Sequence, residues 1–546
     1  MGLKPHFSFE RDDIMDRLYV NGKIHSMNEH GDIYHSMGLG NGRIIFLSQE
    51  NDAPEGCAEI IDLKGKSVFP GFIDSHLHML NYAFVNCSYN MQSETSVAGI
   101  IHSCREIAKT LDEKGSENWV YGRGWNEGNF TDKKEYLTRE DLDKISESRP
   151  ILLIRVCGHI AAVNTKALEI VSKLENADAF EDEIDYEKGL LYEAAVKLCY
   201  NVMSEPTVDE IKGYIRYAQK EMNACGITSV ETDNFLSLPG RNRQRIMQAY
   251  QEMSRDNELT VKVREQASFV SFEDVKAFID DGYRTGDGDS FYSVGPIKLY
   301  LDGSLGAKTA LLNEPYRNDG ENRGLMRHSA EELQAMVDYS YEHDMQILVH
   351  AIGDGACDIV MNAYENAIKK FGRKPVRLAI NHLQIVSDDL FDRMKTYDIL
   401  GYIQPVFVPS DKNMITNLFG EERTKNSYLW KTMADKGLHL CGGSDSPVES
   451  FDILNNIQFA VTRDALNEKT DGWHPEEKLS VDASIRLFTI WNAYGAFKEN
   501  EYGSLELGKA ADFVILDHDI YEVDPHEIKD ISVCETVVNG NVVYRK

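Results

Sequence analysis

Two histidines separated by one leucine, His76 and His78, close an apolar run in "FPGFIDSHLHML". In a β-strand, residues i and i+2 face the same side, so both imidazoles project together from the end of a buried strand. Imidazoles aimed at one point are a chelating group for a divalent cation. Later apolar runs end alike: Lys298 lies in "PIKLYLDG", His350 ends "ILVH", His382 ends "LAINH" and Asp445 ends "LCGGSD". One strand-end histidine is ordinarily a satisfied polar residue. Four of the sixteen histidines, with a lysine and an aspartate, at equivalent places in successive units are a ligand set.

Lys298 is the unusual member. Lysines are almost never buried without a partner, and an ammonium is repelled by cations. A neutral amine that takes up CO2 becomes an anionic carbamate, whose two oxygens can bridge two metals about 3.5–4 Å apart. The alternative is a lysine ion-paired with the nearby Asp302.

Such residues need a scaffold that brings distant strand ends together. Apolar runs such as "SVFPGFID", "PILLIRV", "GITSVET", "VGPIKLYLDG", "MQILVHAIGD", "RLAINHLQ", "ILGYIQP" and "LHLCGGSD" alternate with helical patterns such as "SAEELQAMVDYSYEHD". The alternation predicts a parallel sheet covered on both faces. About eight such units predict an α/β fold, a (β/α)8 TIM-like barrel with its chemistry at the C-terminal strand ends. The two ends of the chain read differently. "RLYVNGKIHSM" predicts two short strands hairpinned at Asn21-Gly22, "LGNGRIIFLS" repeats the device at Asn41-Gly42, and "ETVVNGNVVYRK" does so at Asn539-Gly540. The expected organisation is a composite β-sandwich from 1–70 plus 500–546, around a 71–499 barrel with an insertion at 85–200.

Composition narrows the partners. The formal charge is 58 − 89 = −31, which disfavours nucleic acid and anionic membrane surfaces. No stretch approaches the roughly 20 apolar residues of a membrane span. The opening "MGLKPHFSFERDDIMD" has no apolar leader core. Nine scattered cysteines without a CxxC pair read as reduced thiols, so a cytoplasmic location is expected.

The motifs "FPGFIDSHLHM", "GHIAAVNTKAL", "IKLYLDGSLGAKTA", "LVHAIGDGA", "NHLQ", "GGSDSPV" and "GSLELGKAADFVILD" resemble the amidohydrolase superfamily. Within it they resemble amidohydrolase family 3, the YtcJ-like branch that includes N-substituted formamide deformylases. The resemblance runs nearly the whole length. It implies a metal-dependent hydrolase barrel with two divalent ions. His76, His78 and Asp445 would hold the first, His350 and His382 the second, and Lys298 would bridge as a CO2-derived carbamate. Zinc suits these ligands, with manganese and iron as alternatives. The implied reaction is hydrolysis of a C–N bond, amide-like or an N-substituted formamide, in a small molecule by a metal-activated hydroxide. Asp445 would take the proton of the attacking water and pass it to the leaving nitrogen. An ester or lactone hydrolase would use the same site. A deaminase ranks lower, because "AIGDGA" after His350 holds no glutamate and Lys298 would lack a role. A non-catalytic regulatory or binding protein on the same fold is the remaining alternative, and the complete ligand set argues against it. By analogy with other barrel hydrolases, a homodimer is expected.

Substrate contacts carry weaker signals. Trp125 in "GRGWNEGNF", with Tyr82 and Phe84, is a candidate apolar wall or ordinary packing. His159 and Asn164 lie in "GHIAAVNTKAL", where Cys157 stands at a place expected to be acidic in relatives. Asp302 follows Lys298 closely enough to orient the carbamate or reach the substrate. Asp354 is a candidate partner for His350, and Glu231 and Asp233 are candidates to line the pocket.

Overall fold

The computed structural model describes residues 15–54, 56–174, 177–387 and 389–546. The opening segment, residues 1–14, on which the expectation of no leader falls, lies outside the described residues. The chain divides into two compact units. One takes in the chain up to His78, Gln219–Asp233 and Ser254–Lys546, and the other takes in Met79–Ala218 and Asn234–Met253.

The first unit holds an eight-stranded parallel barrel sheet. Its strands are β1 (Phe72–Leu77), β2 (Ile227–Thr232), β3 (Lys262–Ser268), β4 (Tyr292–Tyr300), β5 (Ile347–Ala351), β6 (Ala379–His382), β7 (Leu400–Ile403) and β8 (Leu440–Gly442). Each pairs with its successor, so the TIM-like (β/α)8 reading holds. Register sets the rim: Tyr300 pairs with His350, and Ala351 with His382. Loops bring β8 back to β1. The N–H of Asp445 donates to the His76 carbonyl at 2.8 Å, and that of His78 to the Ser446 carbonyl at 2.7 Å. Gly443 makes this approach possible, since a Cβ there would sit 2.8 Å from the His76 nitrogen.

The same unit carries two further sheets. Arg43–Ser48, Ser36–Gly40, Arg17–Val20 and Glu59–Asp62 form one. Asn541–Arg545, Val533–Val538, Phe513–Leu516, Ser67–Pro70, Lys23–His25 and Ile33–Tyr34 form the other. Tyr19, Met37, Val68, Phe513 and Val537 share one buried cluster. Asn41-Gly42 and Asn539-Gly540 turn with positive φ at both residues, as a two-residue hairpin requires. Asn21-Gly22 does not make a hairpin. The flanking strands Arg17–Val20 and Lys23–His25 enter different sheets. Only Asn21 has positive φ. Gly22 is pressed against Leu63, whose Cδ1 would lie 2.3 Å from an added Cβ.

The second unit has its own six-stranded mixed sheet: Ile184–Asp185, Leu190–Tyr192, Ile160–Val163, Ile151–Arg155, Val120–Trp125 and Tyr89–Asn90. "PILLIRV" therefore supplies a strand here rather than in the barrel. The barrel strand that hydropathy misses is β3, "KVREQAS", buried at every position despite its charges. Three of its polar side chains are paired: Lys262 with Asp512, Arg264 with Glu231 and Gln346, and Gln266 with His76 and Ser75. No described helix is long and apolar enough to cross a membrane.

The Arg264–Glu231 pair generates a test, since both side chains are buried. Arg264→Met leaves a carboxylate without its cation and is expected to cost about 3–5 kcal/mol. Melting should fall sharply, and the double change with Glu231→Gln should recover most of the loss.

Candidate active site

β1 is buried over its whole length and delivers His76, 1 % exposed, at its end. His78 follows at the rim, with its ring centroid 5.3 Å from that of His76. Lys298 reaches in from β4, fully buried, its Nζ 3.4 Å from His76 Nε2. His350 on β5 and His382 on β6 stack edge to face at 4.4 Å, and His382 lies 5.7 Å from His76. Asp445, past the end of β8, places Oδ1 3.2 Å from His76 Nε2 and 3.1 Å from His78 Nε2. All six residues expected as ligands thus meet at one end of the barrel.

Ring orientation favours chelation. His76 turns Nδ1 to Gln266 at 2.7 Å, His78 turns Nδ1 to the Asp233 carbonyl at 3.2 Å, and His382 turns Nδ1 to Gln404 at 2.9 Å. Donor atoms of His76, His382 and Asp445 lie within 4.8 Å of one another, in reach of a single cation. His350 differs, since its Nε2 faces the Gly303 carbonyl at 3.0 Å and Asp302 at 3.3 Å. His382 and Asp445 also have positive φ, 85° and 59°, a region that few non-glycine residues use and that recurs where function fixes the backbone.

The electrostatics follow from burial. Burial pulls Lys298 down to about 8, against the carboxylates of Asp233 and Asp445. Burial, helped by Lys298, lowers His76 to about 4, and burial with His350 beside it lowers His382 well below the usual histidine range. Burial works to raise Asp445, but the imidazoles of His76 and His78 against it hold it well below the usual carboxylate range. Burial works to lower His78, and Asp445 and Asp233 outweigh it, so that imidazole is raised. His76 and His382 are thereby held as neutral donors beside an ionised carboxylate, the protonation states a divalent cation requires.

The proposed Lys298–Asp302 ion pair is absent. Asp302 is fully buried and spends its oxygens on the N–H groups of Leu311, Ile352 and Gly353 at 2.9–3.1 Å. It therefore ties the segment after β4 to the exit of β5. Asp354 accepts from Asn313 and Gly355 and not from His350. Glu231 is committed to Arg264, and Asp233 takes the Tyr300 hydroxyl.

The remaining candidates belong to the second unit. Trp125 is fully buried in its core and donates to the Leu153 carbonyl at 2.9 Å, a packing environment. Tyr82 stacks on Tyr217, and Phe84 on Tyr121. His159 is exposed and pairs with Glu193 at 2.9 Å. Asn164 caps the helix Thr165–Val171, and Cys157 is exposed. Sequence reasoning missed Gln266, on the unrecognised β3. It also passed over Gln404, although "ILGYIQ" carries the same strand-end signal as the histidines.

Comparison with known proteins agrees with this geometry. The profile of the amidohydrolase family matches residues 59–544. The chain is 31% identical over 550 residues to the "Putative amidohydrolase YtcJ" of Bacillus subtilis (strain 168), covering 97% of this chain and 100% of that protein. It is 23% identical over 549 residues to the N-substituted formamide deformylase of Arthrobacter pascens, covering 97% and 98%. A solved structure, an uncharacterized metal-dependent hydrolase from Pyrococcus furiosus, matches with a TM-score of 0.77 at 27% identity over 93% of this chain and 100% of that one.

Asp302→Leu would strand three buried N–H donors, at about 1–3 kcal/mol for each left unsatisfied. It is expected to lower the melting temperature by many degrees, whereas Asp302→Asn, which keeps one acceptor oxygen, should lose less.

Proposed function

The chain belongs to the amidohydrolase family, whose members are metal-dependent hydrolases, and from that premise we propose that it hydrolyses a C–N bond of a small amide-like molecule at the rim holding His76, His78, Lys298, His350, His382 and Asp445. The observation that carries this reading is the contact of one Asp445 oxygen with two imidazole nitrogens at 3.1 and 3.2 Å, beside a buried lysine. Three acceptor atoms so close repel one another unless a proton or a cation lies among them.

The donor set fits divalent metal, with zinc expected. His76, His78 and Asp445 would hold one ion and His350 and His382 another. Such ions supply Lewis-acid polarisation of a carbonyl and a lowered water pKa. The rest is done by the chain itself. Lys298, buried and without a carboxylate ion pair among the described residues, suits reaction with CO2 to give a carbamate, an anionic group that would help hold the ions. Asp445, held ionised, accepts the proton of the attacking water and returns it to the departing nitrogen. The deformylase among the relatives supports an amide-like substrate, and an N-substituted formamide is the first compound class to assay.

Stripping the protein with a chelator is expected to abolish turnover, and zinc to restore it. Asp445→Asn should lower kcat by about 10²–10⁴, the usual worth of a general acid–base. The decisive assay is a panel of N-formyl, N-acyl, ester and lactone compounds with metal-loaded protein. Turnover of esters or lactones without any amide would overturn the C–N assignment. A second test uses Lys298, whose amine is neutral above about 8 and charged below. Only the neutral amine takes up CO2, so recovery with zinc and bicarbonate should fall as pH drops from about 9 to about 6. Lys298→Met should show no bicarbonate dependence.

A further inference from the structure

We infer that Gln266 is the positioning residue that sets the tautomer of His76, keeping the bare Nε2 turned to the centre of the site. The chemistry of the hydrogen bonds forces this direction. Gln266 is buried, and its amide nitrogen donates to the Ser75 carbonyl at 2.8 Å. A carbonyl only accepts, so that end of the amide is the NH2. Its oxygen therefore faces His76 Nδ1, at 2.7 Å. An amide oxygen also only accepts, so Nδ1 carries the proton and Nε2 is left with its lone pair.

The assignment matters because Asp445 pulls the other way. Its Oδ1 lies 3.2 Å from His76 Nε2, and a carboxylate there favours a proton on Nε2. That proton would block the lone pair that a cation needs. Gln266 opposes it from the far side of the ring. Its amide is neutral, so it fixes the proton without adding a second negative charge to a buried site. The other rings lack this device. His78 uses a backbone carbonyl, that of Asp233. His382 sits in a closed loop with Gln404 and Asn381, with contacts of 2.9, 3.0 and 3.0 Å. That loop is self-consistent in either direction, so it holds the ring without choosing its tautomer. At His76, Gln266 joins a side-chain acceptor to a fixed carbonyl anchor.

The consequence for cation binding rests on the metal site proposed above, whereas the tautomer itself does not. The test uses the full chain, metal-free and labelled with 15N-histidine, with the His76 signals assigned from a His76→Gln spectrum. Wild-type protein should show His76 protonated on Nδ1. Gln266→Met, of similar size but with no amide, should move the proton to Nε2. Gln266→Glu, which can accept from the ring and, when protonated, donate to Ser75, should restore it. Gln266→Asn, too short to hold both partners, serves the same comparison should the methionine variant not fold. Zinc affinity by competition with a chromophoric chelator should fall about 10–100-fold in Gln266→Met and recover in Gln266→Glu. An unchanged Nδ1–H signal in Gln266→Met and Gln266→Asn would overturn the inference. Wild-type protein that binds no zinc would instead count against the proposed function, and the tautomer measurement would still decide the role of Gln266.

Discussion

The closure of the barrel between β8 and β1 is the constraint on which the site depends. Backbone hydrogen bonds from Asp445 to His76 and from His78 to Ser446 draw the two strand ends together. The side chain of Asp445 then has nowhere to go but between two imidazoles. The Ser444 N–H adds a bond to Asp74 at 3.1 Å, on the same seam. Gly443 is the residue that lets the backbones pass at this distance. A larger residue there would open the seam and separate the carboxylate from both rings.

Around that seam the barrel interior is unusually polar for a core. β3 alone buries a lysine, an arginine, a glutamate and a glutamine. Burying charges is tolerable only when each has partners, and Lys262 and Arg264 find theirs elsewhere in the chain: Glu231 on β2, Gln346 just ahead of β5, and Asp512 beyond the barrel. Lys298 is the exception. It is fully buried with no carboxylate within ion-pair distance among the described residues, and burial pulls its amine down to about 8. That difference separates Lys298 from its ion-paired neighbours Lys262 and Arg264.

Parts of the site were legible because they obey local rules. The i, i+2 spacing of His76 and His78 needs only strand geometry. The strand-end positions of Lys298, His350, His382 and Asp445 need only the alternation of apolar runs and helices. Other parts were hidden for the same reason. β3 has no apolar run to announce it, because Lys262, Arg264 and Gln266 are buried against partners far away in the chain. "PILLIRV" looks like any buried strand and belongs to another sheet. Asn21-Gly22 has the composition of a hairpin turn, and Leu63 packing on Gly22 sends the two strands into separate sheets.

The sequence by itself determined the residue types, their spacing and the order in which strand ends present them, since these follow from backbone periodicity and hydropathy. The tertiary structure alone decided which atoms face one another. It put Asp302 on three backbone donors instead of on Lys298, and it turned three Nδ1 atoms outward. It also set Gln266 between Ser75 and His76. Hydrogen-bond direction depends on positions fixed to tenths of an ångström, and only the closed barrel, bringing residues some 190 to 370 apart in the chain into contact, supplies them.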